Sequence, residues 1–379
     1  MTSENHVLVR YGEIGTKSAP VQRTMLDTLR QRVADKLKYE DIEVEKTSQR
    51  KARIIIETDN TEEVVKALKP VPGVVSMSPA VKIDSEIDQI KEAAESFEYG
   101  DSFGVDTSTA YSEFSSMDLN REIGAHVEDF TGASVDLDNP ETWLGIEVRE
   151  DETFLFTETV DGPGGLPVGT QDEYLSLVSG GIDSPVATYE MMKSGADITP
   201  IYFYNRPIAA EDHLLRFEAV ARKLQGFHPG KKWHYYQVDM KEVNEALMEV
   251  GKGRMVLHRK IMFKVAEKIA EKEGLRGLVT GESLGQKSSQ TAKNMENTTS
   301  EIEKPLMRPL LTESKNEITE KAREIGTFEL SEINSACQTL APESPATQLK
   351  EEELEELEQE VDVDQLVEKA FSSAEKKEL

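Results

Sequence analysis

Ser179-Gly180-Gly181-Ile182-Asp183-Ser184 follows a short apolar run at residues 174–178 and leads straight into a segment with helical spacing. Strand, glycine pair and helix in that order predict a phosphate-binding turn. The glycines permit positive φ and let successive N–H groups close on an anion, while the helix adds its positive dipole end. Ser179 and Ser184 are expected to contribute hydroxyl donors. Asp183 repels phosphate, so its expected partner is a metal ion that itself sits on the phosphates. A plain structural turn is the competing reading of Ser-Gly-Gly alone; the whole strand, S-G-G-x-D-S and helix pattern argues against it.

Downstream, strands at 198–204, 233–238 and 278–280 alternate with helices at 213–224, 241–250 and 256–273. This alternation predicts an α/β fold with a doubly wound parallel sheet, whose ligands lie at the carboxyl ends of the strands. Asp183 and Gly281 both follow strands and should face one crevice. The second loop, Thr280-Gly281-Glu282-Ser283-Leu284-Gly285-Gln286-Lys287-Ser288-Ser289-Gln290-Thr291, offers glycines for close backbone approach and a dense row of hydroxyl and amide groups. Such groups suit a nucleotide and its phosphates.

Upstream, residues 1–81 parse as β-α-β-β-α-β. Strands fall at 6–11, 42–46, 53–57 and 74–81; a first helix at 19–37 carries Val21, Leu26, Leu29, Val33 and Leu37 on one stripe. Asn60 and Glu63 form a prospective capping box for a second helix ending at Leu68. This order is the ferredoxin-like motif, a superfold that by itself names no function. Gly12-Glu13-Ile14-Gly15-Thr16-Lys17-Ser18 superficially resembles a Walker A loop but has the wrong spacing, so it reads as a strand-to-helix turn. Residues 83–166 form a second mixed segment, with helices at 87–97 and 117–130 and strands at 103–107, 143–148 and 154–159. Asp161-Gly162-Pro163-Gly164-Gly165-Leu166-Pro167 then reads as a hinge.

A chain of 379 residues predicts two or three domains. No stretch reaches membrane-span length, and the start has neither a basic nor an apolar leader, which predicts a cytoplasmic protein without a membrane partner. One cysteine, Cys337, excludes an internal disulfide and a cysteine-rich metal site. The net charge of −28 opposes nucleic-acid binding, but it is uneven: residues 1–53 hold eleven Lys/Arg against eight Asp/Glu. Residues 350–379 hold twelve acidic and four basic residues and read as a solvated or frayed tail.

The S-G-G-I-D-S turn resembles that of the PP-loop ATP pyrophosphatases. Six motifs in this order, Y-G-E-I-G-T-K-S, V-P-G-V at 71–74, G-P-G-G-L-P-V-G-T-Q, S-G-G-I-D-S, T-G-E-S-L-G-Q-K-S-S-Q-T and R-P-L-L at 308–311, are similar to those of the tRNA 4-thiouridine synthetases, the ThiI-type tRNA sulfurtransferases. The resemblance covers residues 7–348. It implies a ferredoxin-like domain at 1–75, an RNA-gripping THUMP domain at 76–165 (with limits that could start near 61), a PP-loop adenylating domain at 170–346, and an acidic tail at 347–379.

The implied reaction uses ATP with Mg2+ to adenylate O4 of the uridine at position eight of tRNA, after which sulfur displaces AMP. Position by position, the resemblance places nucleotide contacts at Leu177, Val178, Tyr202, Phe203, Arg259, Gly281 and Gln290, beside Ser179, Gly180, Gly181, Asp183 and Ser184 of the turn. It makes Asp183 the metal or pyrophosphate organiser, Lys315 a neutraliser of phosphate charge, and Cys337 the catalytic cysteine. From the residues alone Cys337 reads equally as a small buried hydrophobe. Many such relatives add a rhodanese domain with a second cysteine; this sequence has neither, so an external sulfur donor, a persulfide protein or sulfide, is expected.

Where such relatives have a basic THUMP run, this chain reads Asp106-Thr107-Ser108-Thr109-Ala110-Tyr111-Ser112-Glu113-Phe114. The expected tRNA contacts are therefore Arg10, Lys17, Arg23, Arg30, Arg32, Lys46, Arg50, Lys51 and Arg53. A homodimer is left open. The competing functions are sulfur transfer for thiamine thiazole synthesis, a PP-loop amidotransferase or ligase acting on a small substrate, and an RNA-binding module with a vestigial ATP site.

Overall fold

The computed structural model describes residues 4–50, 53–110, 115–149, 152–208, 211–331 and 346–379. The chain folds as two compact units, Met1–Gly165 and Leu166–Leu379, which divide inside the glycine-rich stretch read as a hinge.

The first unit opens with β1 (His6–Arg10), α1 (Ala19–Tyr39), β2 (Lys46–Arg50), β3 (Arg53–Glu57), α2 (Thr61–Leu68) and β4 (Ser76–Asp84). On α1, Leu26, Leu29, Val33 and Leu37 are buried as their spacing requires, whereas Val21 is exposed. The strand expected at 42–46 begins only at Lys46. Asp41 takes φ 58° and Ile42 N–H bonds back to the Leu37 carbonyl, so these residues close the helix. The Asn60–Glu63 capping box does not form; the Asn60 N–H bonds instead to Thr58 Oγ1.

Next come α3 (Ile87–Ala94), β5 (Ser102–Ala110), α4 (Ser116–Thr131), β6 (Ser134–Val135), β7 (Thr142–Arg149), β8 (Glu152–Phe156) and β9 (Val160–Asp161). Among the described residues the sheet order is β2-β3-β1-β4-β8-β7-β5-β6, with β9 beside β4. Strand β4 joins its two halves: residues 76–80 pair with β1 and residues 81–84 with β8.

The second unit contains β10 (Glu173–Leu177), α5 (Asp183–Lys193), β11 (Asp197–Tyr204), α6 (Glu211–Gln225), β12 (His234–Asp239), α7 (Lys241–Leu247), α8 (Arg254–Glu273), β13 (Gly277–Val279), α9 (Ala292–Thr299), β14 (Leu306–Met307), α10 (Lys315–Glu324), α11 (Phe328–Ser331), α12 (Glu351–Val361), α13 (Val363–Ser372) and β15 (Glu375–Glu378). The sheet runs β14-β13-β10-β11-β12-β15, with the first five strands parallel and β15 antiparallel at the edge. Alternate residues feed two cores. Leu175, Leu177, Ile201 and Phe203 point to one face, and Val178, Ile198 and Tyr202 to the other. This is the expected doubly wound fold. Its strand order reverses between β10 and β13, where such sheets open a crevice.

The acidic C-terminal segment is folded, contrary to the reading from composition. Val363, Leu366, Val367 and Ala370 are buried in the core beside α8, and β15 extends the sheet. Lysines at successive turns of α8 meet its acids. Lys260, almost fully buried, lies 2.5 Å from both Glu301 and Glu358; Lys264 lies 2.8 Å from Asp364; and Lys268 contacts Glu368. The segment's charge thus has a local counterpart, and its apolar stripe supplies the burial that composition obscured. Leu366→Ala should cost about 3 kcal/mol in chemical denaturation followed at the second unit's tryptophan, Trp233, whereas a solvated tail would give less than about 0.5 kcal/mol.

Candidate phosphate-binding site

Two loops leave the carboxyl ends of adjacent strands at the switch point, one after β10 and one after β13. They come as close as two chains can. A Cβ built on Gly281 would stand 2.8 Å from the carbonyl carbon of Asp183 and from the Ser184 N and Cα. Only glycine allows that approach, because the obstacle is backbone and cannot swing aside.

The first loop holds itself together. Ser184 Oγ accepts the Ser179 N–H at 2.8 Å and lies 3.0 Å from Ser179 Oγ, while the Gly181 N–H reaches Ser179 Oγ at 3.3 Å. The two serines expected to bind phosphate bond each other and shape the turn. Neither Gly180 nor Gly181 has positive φ, a departure from expectation. At Gly180 the reason for glycine is space: an added Cβ would meet Arg216 Cδ at 2.8 Å.

Asp183 begins α5, and its Oδ1 is in contact with Lys315 Nζ, the first residue of α10. Lys315 is about half exposed and Asp183 largely covered. The structure thus brings together two residues 132 positions apart that the sequence singled out separately. Ser314 and Glu317 fix the start of α10 through a reciprocal capping box.

In the second loop Glu282 is fully buried, with Oε1 2.8 Å from Arg259 Nε and Oε2 2.8 Å from Arg308 Nε. Gln290 is buried as well. The loop is secured to the following segment by Ser283 Oγ donating to the Glu313 carbonyl and by the Leu284 N–H donating to Leu311. Leu177, Val178, Tyr202 and Phe203 also lie at the carboxyl ends of their strands, but their side chains are in the core, Tyr202 stacking on Phe217 at 4.6 Å. Any ligand contact they make is through main chain.

Sequence reading did not identify Glu282 as the centre of an arginine pair, and a glutamate inside a polar loop gives little signal of burial. It also missed His258. This buried imidazole lies 3.0 Å from Asn205 Oδ1, an acceptor, so the neutral ring carries its proton on Nε2. Burial, helped by repulsion from Arg259, pushes its pKa down to about 4. Cys337 and Lys51 lie outside the described residues, as does the side chain of Arg50. Among the described residues no group of three or more acidic, His or Cys side chains could hold a metal on its own.

In the first unit the predicted basic residues separate into two sets. Lys17, Arg23, Arg30 and Lys46 are exposed, while Arg32 bonds Asp35 at 3.0 Å. Arg10 and Arg53 converge on buried Glu147, at 2.8 and 3.1 Å, and Arg149 joins them at 3.0 Å. Burial alone would raise the Glu147 pKa; Arg10, Arg53 and Arg149 outweigh it and hold the carboxyl below its usual range. Arg10 and Arg53 therefore serve first as internal partners of Glu147. Beside them lies a groove of about 640 Å³ lined by Asp106, Trp143 and Phe156. Trp143 and Phe156 lie flat on the sheet because residues 104 and 145 are glycine: a Cβ there would come within 2.5 and 2.3 Å of the two rings.

The second unit is thus an α/β domain with a crevice at a switch point, and the first carries a ferredoxin-like sheet. Residues 169–363 match the family described as thiamine biosynthesis protein ThiI, residues 6–78 the ThiI ferredoxin-like domain, and residues 84–158 the THUMP domain. A probable tRNA sulfurtransferase of Halobacterium salinarum is 39% identical over 90% of this chain and 89% of its own length; that of Bacillus subtilis is 34% identical over 98% and 95%. A 4-thiouridine synthetase, solved with RNA and bound ATP, superposes with a TM-score of 0.86 at 32% identity over 99% of both chains. A Pyrococcus horikoshii protein, 23% identical with a TM-score of 0.67 over 85% of this chain and 99% of its own, shares the fold. The chain belongs to the ThiI family of tRNA sulfurtransferases.

Because the His258 pKa is lowered by folding, its contribution to stability is complete above pH 6.5 and is lost as pH falls toward 4. Between pH 7 and pH 4.5 the folded state should lose about 2–3 kcal/mol from this group. His258→Gln should shrink the measured pH dependence by that amount in denaturant titrations; an unchanged slope would show that the imidazole is solvated. Gly281→Ala should displace the second loop and weaken phosphate or nucleotide binding at least about tenfold in calorimetry, since a close backbone approach cannot be relieved by a rotamer change.

Proposed function

We propose that this protein is an ATP-dependent tRNA sulfurtransferase that adenylates O4 of the uridine at position eight of tRNA and replaces that oxygen with sulfur, giving 4-thiouridine. One observation carries the reading: in a chain of this family, Asp183 and Lys315 meet at the mouth of the crevice where the Gly281 loop crosses the first turn of α5. A uridine carbonyl oxygen is a poor leaving group. Transfer of AMP onto it, with release of pyrophosphate, makes its later departure easy.

The residues present divide that work. N–H groups at the start of α5 and along the Gly281 loop hold phosphates, and the main chain at 177–178 and 202–203 meets the nucleoside. Lys315 neutralises charge that develops on phosphate as pyrophosphate leaves. Mg2+ fits this donor set: one carboxylate, Asp183, would hold it together with phosphate oxygens, and it would supply further charge neutralisation. Cys337 is assigned to sulfur delivery. Within this sequence it is the one thiol, so the sulfur comes from a separate donor, a persulfide-bearing protein or sulfide.

In the first unit, exposed Lys17, Arg23, Arg30 and Lys46, with Arg32, Arg50 and Lys51, are the proposed phosphate contacts for tRNA. Arg10 and Arg53 act there through the cluster around Glu147, which retains net positive charge. The proposed setting is the cytoplasm; no described helix is long and apolar enough to cross a membrane. The family description also supports a second reading, sulfur transfer for thiamine synthesis. A deletion strain that requires thiamine yet keeps normal thiolated tRNA would favour it.

Mass spectrometry of tRNA nucleosides from strains carrying Cys337→Ser or Asp183→Ala tests the main reading. Both should lose 4-thiouridine by about a hundredfold or more, as expected when a nucleophile or a charge organiser is removed. Normal levels in both would falsify the assignment.

A further inference from the structure

Phosphate binding in a chain of net charge −28 needs a local source of positive potential, and two lysines of this site are already answered by acids. Lys315 is paired with Asp183, and Lys321 with Glu190 and Glu313 at 3.1 and 2.6 Å. Around Glu282 the balance differs: two guanidiniums share one carboxylate and leave a net charge of one. That carboxylate has no exposed surface, and it follows directly the glycine that touches the phosphate-binding turn.

The geometry of sharing matters. Each arginine meets Glu282 through Nε, which leaves its Nη groups free to donate elsewhere. Arg308 Nη2 is buried and has no hydrogen-bond partner within the protein. In the same loop, Gln290 Oε1 is also buried without one. Unmet buried polar atoms are rare in folded proteins, and a guanidinium donor in a phosphate site calls for an oxyanion. A guanidinium fixed through Nε also loses little further freedom when the anion arrives, so its binding is preorganised.

We propose that Arg308 is a further phosphate-binding residue of this site, and that Glu282 is the positioning residue that orients Arg308 and Arg259 toward the polyphosphate of a nucleoside triphosphate. The proposal rests on the reading of the crevice as an ATP pocket.

The test measures KM for ATP and inhibition by inorganic pyrophosphate in tRNA thiolation, with Arg308→Met, Arg308→Lys and Glu282→Gln beside the wild type, each checked by thermal melting. ATP KM and the pyrophosphate inhibition constant should rise together by about tenfold or more in Arg308→Met and Glu282→Gln, with kcat changed far less. A role confined to folding would lower the active fraction, and therefore kcat, with KM unmoved. Arg308→Lys keeps a cation for Glu282 but removes the planar fork, so it decides the matter if Arg308→Met does not fold. Its KM should rise as well. A folded Arg308→Lys enzyme with wild-type KM and pyrophosphate inhibition overturns this proposal alone. Calorimetry on the wild type separates the two levels: if it binds neither ATP nor pyrophosphate, the pocket reading fails and takes the proposal with it.

Discussion

The contact between Gly281 and the first turn of α5 is the constraint on which the second unit's site depends. At 2.8 Å from backbone atoms, a Cβ has nowhere to go, so residue 281 must be glycine for the two loops to meet. That meeting sets everything nearby. It brings Glu282 to a place with no exposed surface, which in turn requires Arg259 from α8 and Arg308 after β14 as partners. A parallel sheet whose order reverses between β10 and β13 supplies the crevice; the glycine supplies its depth.

The same chain solves a second electrostatic problem, its own acidity. Acidic residues on α12 and α13 would repel one another if merely solvated, yet they face lysines repeated along α8, and buried Lys260 bridges Glu301 and Glu358. Such a pair is costly to assemble and more costly to break on one side, so it fixes where the segment docks. The docking also reaches the site. The Ala346 N–H bonds to the Lys252 carbonyl just before α8, and Asn294 bonds both Ala346 and Leu349, tying the loop that carries Gln290 to the C-terminal segment. A stretch that looks dispensable from its composition therefore braces α8, and with it Arg259.

What could be read from the sequence follows from which signals are local. Strand and helix periodicity located the longer strands and helices of both sheets, and glycine-rich turns marked the two site loops, because backbone geometry is written residue by residue. It passed over the short or edge strands β6, β9, β14 and β15 and set β2 several residues too early. The α12–α13 segment was misread because its apolar stripe of Val363, Leu366, Val367 and Ala370 is diluted by charge whose partners lie a hundred residues earlier. The roles of Ser179 and Ser184 were ambiguous for a related reason: hydroxyls can bond a ligand or their own loop, and only the three-dimensional turn shows that here they bond the loop. Arg10 and Arg53 look like free cations in one dimension and are half spent on Glu147 in three.

The Asp183–Lys315 pair shows how a broken local rule points to function. Asp183 at the start of α5 is favoured by the helix dipole, but Lys315 at the start of α10 is opposed by it, at a cost of about 0.3–1 kcal/mol. The contact with Asp183 offsets that cost only in part, because Lys315 is half exposed and solvent-screened pairs contribute little. Stability thus gives no reason to place a lysine there, where glutamate would cap the helix better. A cation held at a helix start, where N–H groups already gather for anions, makes sense when the anion carries more charge than the N–H groups can meet. Under the proposed function the phosphate chain that gains charge as it leaves is such an anion, and Asp183 would keep the lysine aimed at it until it arrives.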